Sequence, residues 1–311
     1  MKPSATWLLT EDYAGLQAQA LGLAEAAGLA AEPRLLQVRA LWRHVAPAWW
    51  PAPLAAVAPG ALAPPLPELL IGAGGKAAAV VAALHRRVRG VIVKHPRMNP
   101  RRFDLIVAAR HDAIGGPNVI VTRTALHRAT PARLAAAAAR WAPVLAQLPR
   151  PLVAVLVGGA NGRYRLDGAV GAALAGQLAA MMRQDRVGLA LTPSRRTDPA
   201  VRRALTDALA PHGAWLWDGS GDNPYFGLLA LADAIVVTAD SVSMISEAVA
   251  TAAPVLVAAL PGRSRRQAAF LRALIDDGRV RLYQGRFAHW PVAPLDDTAA
   301  AAAELCRRFG Y

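Results

Sequence analysis

Along this chain, short apolar runs rich in β-branched residues alternate with longer stretches whose apolar positions recur every three or four residues. The first pattern predicts strands buried in a sheet, the second amphipathic helices. Strands are expected at residues 6–10 (TWLLT), 35–41, 69–71, 90–94 (GVIVK), 103–108 (FDLIVA) and 119–122 (VIVT). After a proline-bounded helix over residues 131–148, the pattern starts afresh with strands at 152–157 (LVAVLV), 188–191, 214–217, 235–238 (IVVT) and 254–258 (PVLVA). Helices follow at 170–182, 199–210, 226–232, up to residue 275 and at 298–309.

Such alternation means a parallel sheet covered by helices on both faces. It occurs twice, and Pro149-Arg150-Pro151 interrupts it, since prolines halt a helix and stiffen the connection. The expected fold is α/β: two Rossmann-like, doubly wound domains facing across a cleft, residues 1–149 as an acceptor domain and 150–311 as a ligand domain with a terminal helix.

Composition narrows the class. With 54% hydrophobic and 18% charged residues among 311, the chain is globular, and a formal net charge of +14 favours anionic partners. Its arginines are spread through turns and helices without interleaved aromatics, which argues against a nucleic-acid stripe. One cysteine, Cys306, excludes an internal disulfide framework and a cysteine-rich metal site and fits a reducing, cytoplasmic compartment. The first residues, MKPSATWLLTED, meet acidic groups too early for a signal peptide. The longest uncharged run, residues 45–67, is broken by prolines and reads as a surface connection; Trp49 and Trp50 in it suggest peripheral contact with an anionic inner membrane surface.

Candidate chemistry sits at the ends of strands, the edge where open α/β sheets bind ligands. The densest stretch is residues 235–248, IVVTADSVSMISEA. There a strand, the turn Ala239-Asp240-Ser241 and a helix start gather Ser241, Ser243 and Met244 at a positive dipole end suited to a phosphate. Asp240 and the serines can equally be plain caps. Glu247, one turn on, is placed to accept hydrogen bonds from a ribose diol. Gly158, Gly159 and Asn161 follow one strand, Ser194, Arg195 and Arg196 a second, Asn223 and Tyr225 a third. Four such loops on one sheet edge describe a nucleotide-sized site, with arginine as the partner of a diphosphate. In the first half, Gly72 to Lys76 form a glycine-rich loop without the spacing of a P-loop. His111 beside Asp112 ends another strand as a candidate general base, although neighbours on an extended chain point opposite ways.

Several segments together resemble a known family: GLQAQALGLAEA near the start, HPR at 95–97, FDLIVAARHD at 103–112, Asn118-Val119, TPSRRT at 192–197, NPYFGLLALAD at 223–233 and VTADSVSMISEA at 237–248. In order and over nearly the whole chain, they are similar to the mitochondrial-fission Elm-type family, whose bacterial members are labelled nucleoside-diphosphate-sugar epimerases. The resemblance implies a GT-B glycosyltransferase fold with the nucleotide sugar in the C-terminal domain. It puts Glu247 at the ribose and Ser241 and Ser243 at the diphosphate. Leu16-Gln17 and Ala73-Gly74-Gly75 depart from the family's first-half pattern.

The function expected is a metal-independent glycosyltransferase, needing no cofactor beyond a nucleotide-diphosphate sugar as substrate, with His111 or Asp112 deprotonating the acceptor. The alternatives are an epimerase of the same donor or a non-catalytic scaffold, because plant relatives recruit a dynamin-related protein in mitochondrial fission. A lipid-linked or small-molecule acceptor fits the expected membrane contact.

Overall fold

A computed structural model describes residues 5–311; Met1 to Ser4, part of the segment read above for a signal peptide, lie outside the described residues. The chain divides into two units, one formed by residues 1–128 with 296–311 and the other by 129–295.

In the first unit the strands are β1 (Thr6–Thr10), β2 (Ala31–Leu35), β3 (Leu69–Ala73), β4 (Arg89–Val93), β5 (Leu105–Ala109) and β6 (Val119–Thr122). They pair in parallel in the order β2-β1-β3-β4-β5-β6. Helices α1 (Ala14–Ala26) and α2 (Gly75–Ala83) serve the same unit. Successive strand residues face opposite sides: Leu70 and Ile92 enter one buried cluster, Leu69, Ile71, Val91 and Val93 the other.

The second unit begins with α3 (Pro131–Leu145). It continues through β7 (Leu152–Val157), α4 (Gly168–Asp185), β8 (Gly188–Pro193), α5 (Pro199–Leu209), β9 (Trp215–Leu216), α6 (Tyr225–Leu231), β10 (Ala234–Thr238), α7 (Val242–Val249), β11 (Val255–Ala258), α8 (Arg265–Asp276) and β12 (Val280–Leu282). Its all-parallel sheet runs β12-β11-β10-β7-β8-β9. Along β7, Val153, Val155 and Val157 pack on one face, Leu152, Ala154 and Leu156 on the other, and all six are fully buried. At about 1.5–3 kcal/mol per buried Val or Leu side chain, this apolar strand anchors both layers.

The last helix, α9 (Asp297–Phe309), returns to the first unit. Ala301, Ala302 and Leu305 join the cluster of Leu23 and Ala24. Arg123 holds Asp297 Oδ1 through Nε (3.2 Å) and Nη2 (2.7 Å), and the Thr124 amide donates to Oδ2 at 3.1 Å. The backbone N–H of His127 bonds Thr298 Oγ1 at 3.1 Å. The division expected at 149/150 therefore differs in two places: α3 packs with α6 in the second unit, and the terminal helix belongs to the first. Sequence proximity to a proline break does not register such long-range packing.

Three local expectations are corrected. The second strand is Ala31–Leu35, not 35–41, because β1 pairs with it from Thr6↔Ala31 to Thr10↔Leu35. The pair His111 and Asp112 is not extended: Arg110–Asp112 form a 3-10 turn, and His111 Nε2 comes within 4.0 Å of Asp112 Oδ1. Residues 45–67 contain 3-10 turns at Pro47–Trp49 and Pro59–Leu62, but Trp50 is buried and its indole N–H donates to the Val45 carbonyl at 3.1 Å. Of the two tryptophans only Trp49 is exposed. No helix among the described residues is long and apolar enough to cross a membrane.

Candidate functional site

Strand order in the second sheet reverses between β7 and β10. From β7 the chain builds outward through β8 and β9, and from β10 it builds the other way through β11 and β12. Loops leaving the C-terminal ends of two such neighbours part to opposite faces and open a crevice, the place where doubly wound sheets hold ligands. The residues after β7 and β10 are Gly158 to Arg163 and Ala239 to Ser241.

A buried carboxylate ties these loops together. Thr238, the last residue of β10, accepts from the Gly158 amide at 2.8 Å and donates to Asp240 Oδ1 at 2.7 Å. Asp240 Oδ2 accepts from the Gly159 amide at 3.0 Å and stands 3.8 Å from Arg196 Nη2. Burial raises the Asp240 pKa; bonds from Thr238 and Gly159 and the Arg196 charge oppose that shift without cancelling it. The glycines are required by this packing: a methyl at Gly158 would overlap the Asp240 carboxylate, and at Gly159 the backbone carbonyl of Arg196. The Gly159 N–H is thus already engaged by the protein's own carboxylate.

The loop after β8 is fixed with equal care. Ser194 N–H donates to the Val157 carbonyl at 2.7 Å, and Thr197 Oγ1 donates to the Gly158 carbonyl at 2.5 Å. Arg202 on α5 reaches back to the carbonyls of Ser194 (2.7 Å) and Thr197 (3.3 Å). Ser194 Oγ accepts from the Arg196 amide at 3.2 Å. Held by this frame, Arg195 and Arg196 are exposed. Asn161 spends its side chain on its own turn: Oδ1 accepts from the amides of Arg163 (2.9 Å) and Tyr164 (3.0 Å), while Nδ2 donates to the Asp240 carbonyl at 3.3 Å.

Helix α7 starts on Ser241, whose hydroxyl caps the Met244 amide at 3.3 Å. A serine N-cap serves one of the first-turn amides; Ser243 and Met244 on the same turn are partly exposed. Gln267 on α8 donates to the Ala239 carbonyl, bracing the turn from the other side. Deeper in the helix Glu247 is buried, and the Tyr225 hydroxyl donates to its Oε2 at 2.5 Å. Burial, then the Glu247 charge, push the Tyr225 pKa well above its ordinary value, so the phenol stays protonated. Asn223 accepts from the Tyr225 amide at 2.9 Å and turns the chain into α6.

The fold therefore gathers Gly158, Gly159, Asn161, Ser194, Arg196 and Asp240 in one bonded network, and Tyr225 with Glu247 in a second. Thr238, Thr197, Arg202 and Gln267 hold that frame but do not stand out in the sequence; the run TPSRRT, with a threonine after one serine and two arginines, is the available signal, and for Thr197 alone. In the first unit, His111 Nε2 lies 4.0 Å from Asp112 Oδ1, and both side chains are largely buried. The glycine-rich loop there ends in an ion pair, Lys76 Nζ to Glu11 Oε2 at 2.6 Å, and Gly74 adopts φ +96°, a conformation that favours glycine.

The model of the mitochondrial fission ELM1 family matches residues 14–309. The mitochondrial fission protein ELM1 of Arabidopsis thaliana is 32% identical over 275 residues, covering 78% of this chain; the chain spans only 64% of that protein's length. Among solved structures, the UDP-GlcNAc 2-epimerase of Methanocaldococcus jannaschii superposes with a TM-score of 0.57 at 11% identity, covering 100% of both chains. A UDP-glucosyltransferase from Polygonum tinctorium gives 0.54 at 11% identity, covering 99% of this chain and 89% of its own. At such identities the likeness is one of fold: α/β, of the GT-B class.

Proposed function

This chain belongs to the mitochondrial fission ELM1 family, and on that premise we propose that its second unit binds a nucleoside-diphosphate sugar and that the protein transfers the sugar to an acceptor hydroxyl. The observation that carries the reading is the switch point between β7 and β10, where three strand-end loops are locked into one network that leaves two arginines exposed at its rim. Solved structures of this fold are named for enzymes of UDP-sugars, which supports the choice of ligand class.

In this reading Arg195, Arg196, Ser243 and the first turn of α7 receive the diphosphate, and Glu247, oriented by Tyr225, receives the ribose. Transfer forms a bond from the acceptor oxygen to the anomeric carbon and breaks the bond to the β-phosphate. The diphosphate leaves with the electron pair, stabilised by the arginines and the helix dipole. The acceptor proton goes to a base, for which His111 beside Asp112 is the proposed residue.

A thermal-shift screen against nucleoside diphosphates and their sugars tests the binding half. Ligand at a hundred times its Kd stabilises by about 2.7 kcal/mol, and a selective rise with one nucleotide sugar is the expected result. Glu247→Ala is then expected to lose about 1.5–3 kcal/mol of that affinity. A cooperative melt unmoved by every nucleotide overturns the reading and favours the scaffold, for which the 32% identity to a mitochondrial fission protein is the supporting observation.

A further inference from the structure

Between Glu32 and Glu68 the chain carries no acidic residue, while Arg39, Arg43 and His44 lie within it. This is also where the first unit carries the two most exposed of its large apolar side chains among the described residues. Leu41 is 87% exposed and Trp49 79%, with Val45 between them 37% exposed. Outward leucine and tryptophan on a described surface whose other large apolar groups are mostly buried need a reason.

Their presentation is built, not loose. Leu41 rides on the 3-10 turn Ala40–Trp42 and Trp49 on the 3-10 turn Pro47–Trp49. Beneath them the following tryptophans meet edge to face, Trp42 and Trp50 with ring centroids 6.4 Å apart. The Trp50 indole ties back to the Val45 carbonyl, and Arg43 Nε to the Val38 carbonyl at 3.2 Å. Trp50 belongs to the buried cluster of the unit and Trp42 packs against it. Each turn therefore spends one tryptophan as an inward anchor, and the residue before that anchor is turned out. Arg39 and Arg43 flank the first of these turns and His44 follows it, and all three are exposed.

We propose that this element, Leu41, Val45 and Trp49 with Arg39, Arg43 and His44 beside them in the chain, docks the protein on an anionic lipid bilayer. Tryptophan and leucine enter the boundary between headgroups and acyl chains, and the arginines meet lipid phosphates, the pairing by which short amphipathic elements rest on membranes. A soluble protein partner would answer the apolar tips but gives no account of a 35-residue interval (33–67) without one acidic group. The proposal is independent of nucleotide binding, since every residue in it lies in the first unit.

Flotation with vesicles of phosphatidylcholine alone and of phosphatidylcholine with phosphatidylglycerol tests it, using the full-length protein. Expected are flotation with the anionic vesicles at low salt and at least about tenfold weaker flotation with the neutral ones. The double variant Leu41→Ser, Trp49→Ser, with an unchanged melting temperature, is expected to lose about tenfold or more in partitioning. Arg39→Glu, Arg43→Glu is expected to lose binding to anionic vesicles while leaving the apolar tips in place. Absence of flotation by the parent protein, or equal flotation by the serine variant, overturns the proposal. So does a concentration-dependent dimer that only the serine variant abolishes in a protein that does not float, which assigns the tips to a second copy.

Discussion

Tyr225 and Glu247, on different helices and 22 positions apart, share a hydrogen bond of 2.5 Å in which the phenol donates to a buried carboxylate. Removing that donor takes one hydrogen bond from a buried carboxylate. Tyr225→Phe is expected to destabilise the protein by about 1–3 kcal/mol, read as a shift of the urea midpoint. Because the phenol's pKa is raised by burial and by Glu247, its contribution is complete below the ordinary tyrosine range and is lost as pH rises above it. The parent protein is therefore expected to lose stability between pH 10 and 11 more steeply than the phenylalanine variant.

Gly158 and Gly159 are set by steric contact with Asp240 and with the loop of Arg196. Alanine at either is expected to cost about 1–3 kcal/mol through overpacking and displaced backbone. Gly162, in the same loop, has open space around a Cβ and serves as the control. Equal midpoints for Gly158→Ala and Gly162→Ala would refute the packing account.

Arg279 is buried with its Nη2 against the carbonyls of Val249 (2.9 Å), Thr251 (2.6 Å) and Ala253 (3.1 Å), and burial brings its pKa down to about 10. It closes the C-terminal end of the helix whose other end carries the candidate site. Arg279→Met is expected to cost about 3 kcal/mol by withdrawing the guanidinium from the Thr251 and Ala253 carbonyls, while the Val249 carbonyl keeps the Leu295 amide. Calorimetry of the variant reads this directly, and a melting temperature unchanged from the parent would remove Arg279 from the frame.

His127 contributes a pH dependence to the first unit. Its ring is buried with Nε2 3.4 Å from Asp296 Oδ1, and burial lowers its pKa despite the attraction of Asp296 and Asp297. A lowered histidine pKa means the unfolded chain takes the proton first, so stability is whole above pH 6.5 and falls as pH drops below it. The slope for one group reaches at most about 1.4 kcal/mol per pH unit. His127→Asn is expected to flatten the fall in melting temperature between pH 7.5 and 5.5, and parallel curves for variant and parent would show that the group is silent.

Much of the architecture was readable from the apolar runs, because central parallel strands such as LVAVLV and AIVVT must be greasy on both faces and little else in a sequence looks like them. The edges were not. β2, AEPRL, has two charged residues in five and holds a proline, and only pairing with β1 makes it a strand. β12 is three residues with two exposed. At the site, Ser241, Asp240 and Glu247 stand out as a polar turn and helix start, but the bond joining Tyr225 to Glu247 and the passage of Gly158 against Asp240 are tertiary events with no local signature. The same holds for Trp49 and Trp50: adjacent letters of one kind, one anchored inside and one turned out.

The return of α9 to the first unit makes the second unit an insertion within the first. During synthesis, then, residues 129–295 complete their own sheet and helices while the first unit still lacks the segment whose Ala301, Ala302 and Leu305 finish its cluster. The unit whose sequence starts later is the one that can finish first, and the first unit closes only once α9 has emerged to join it.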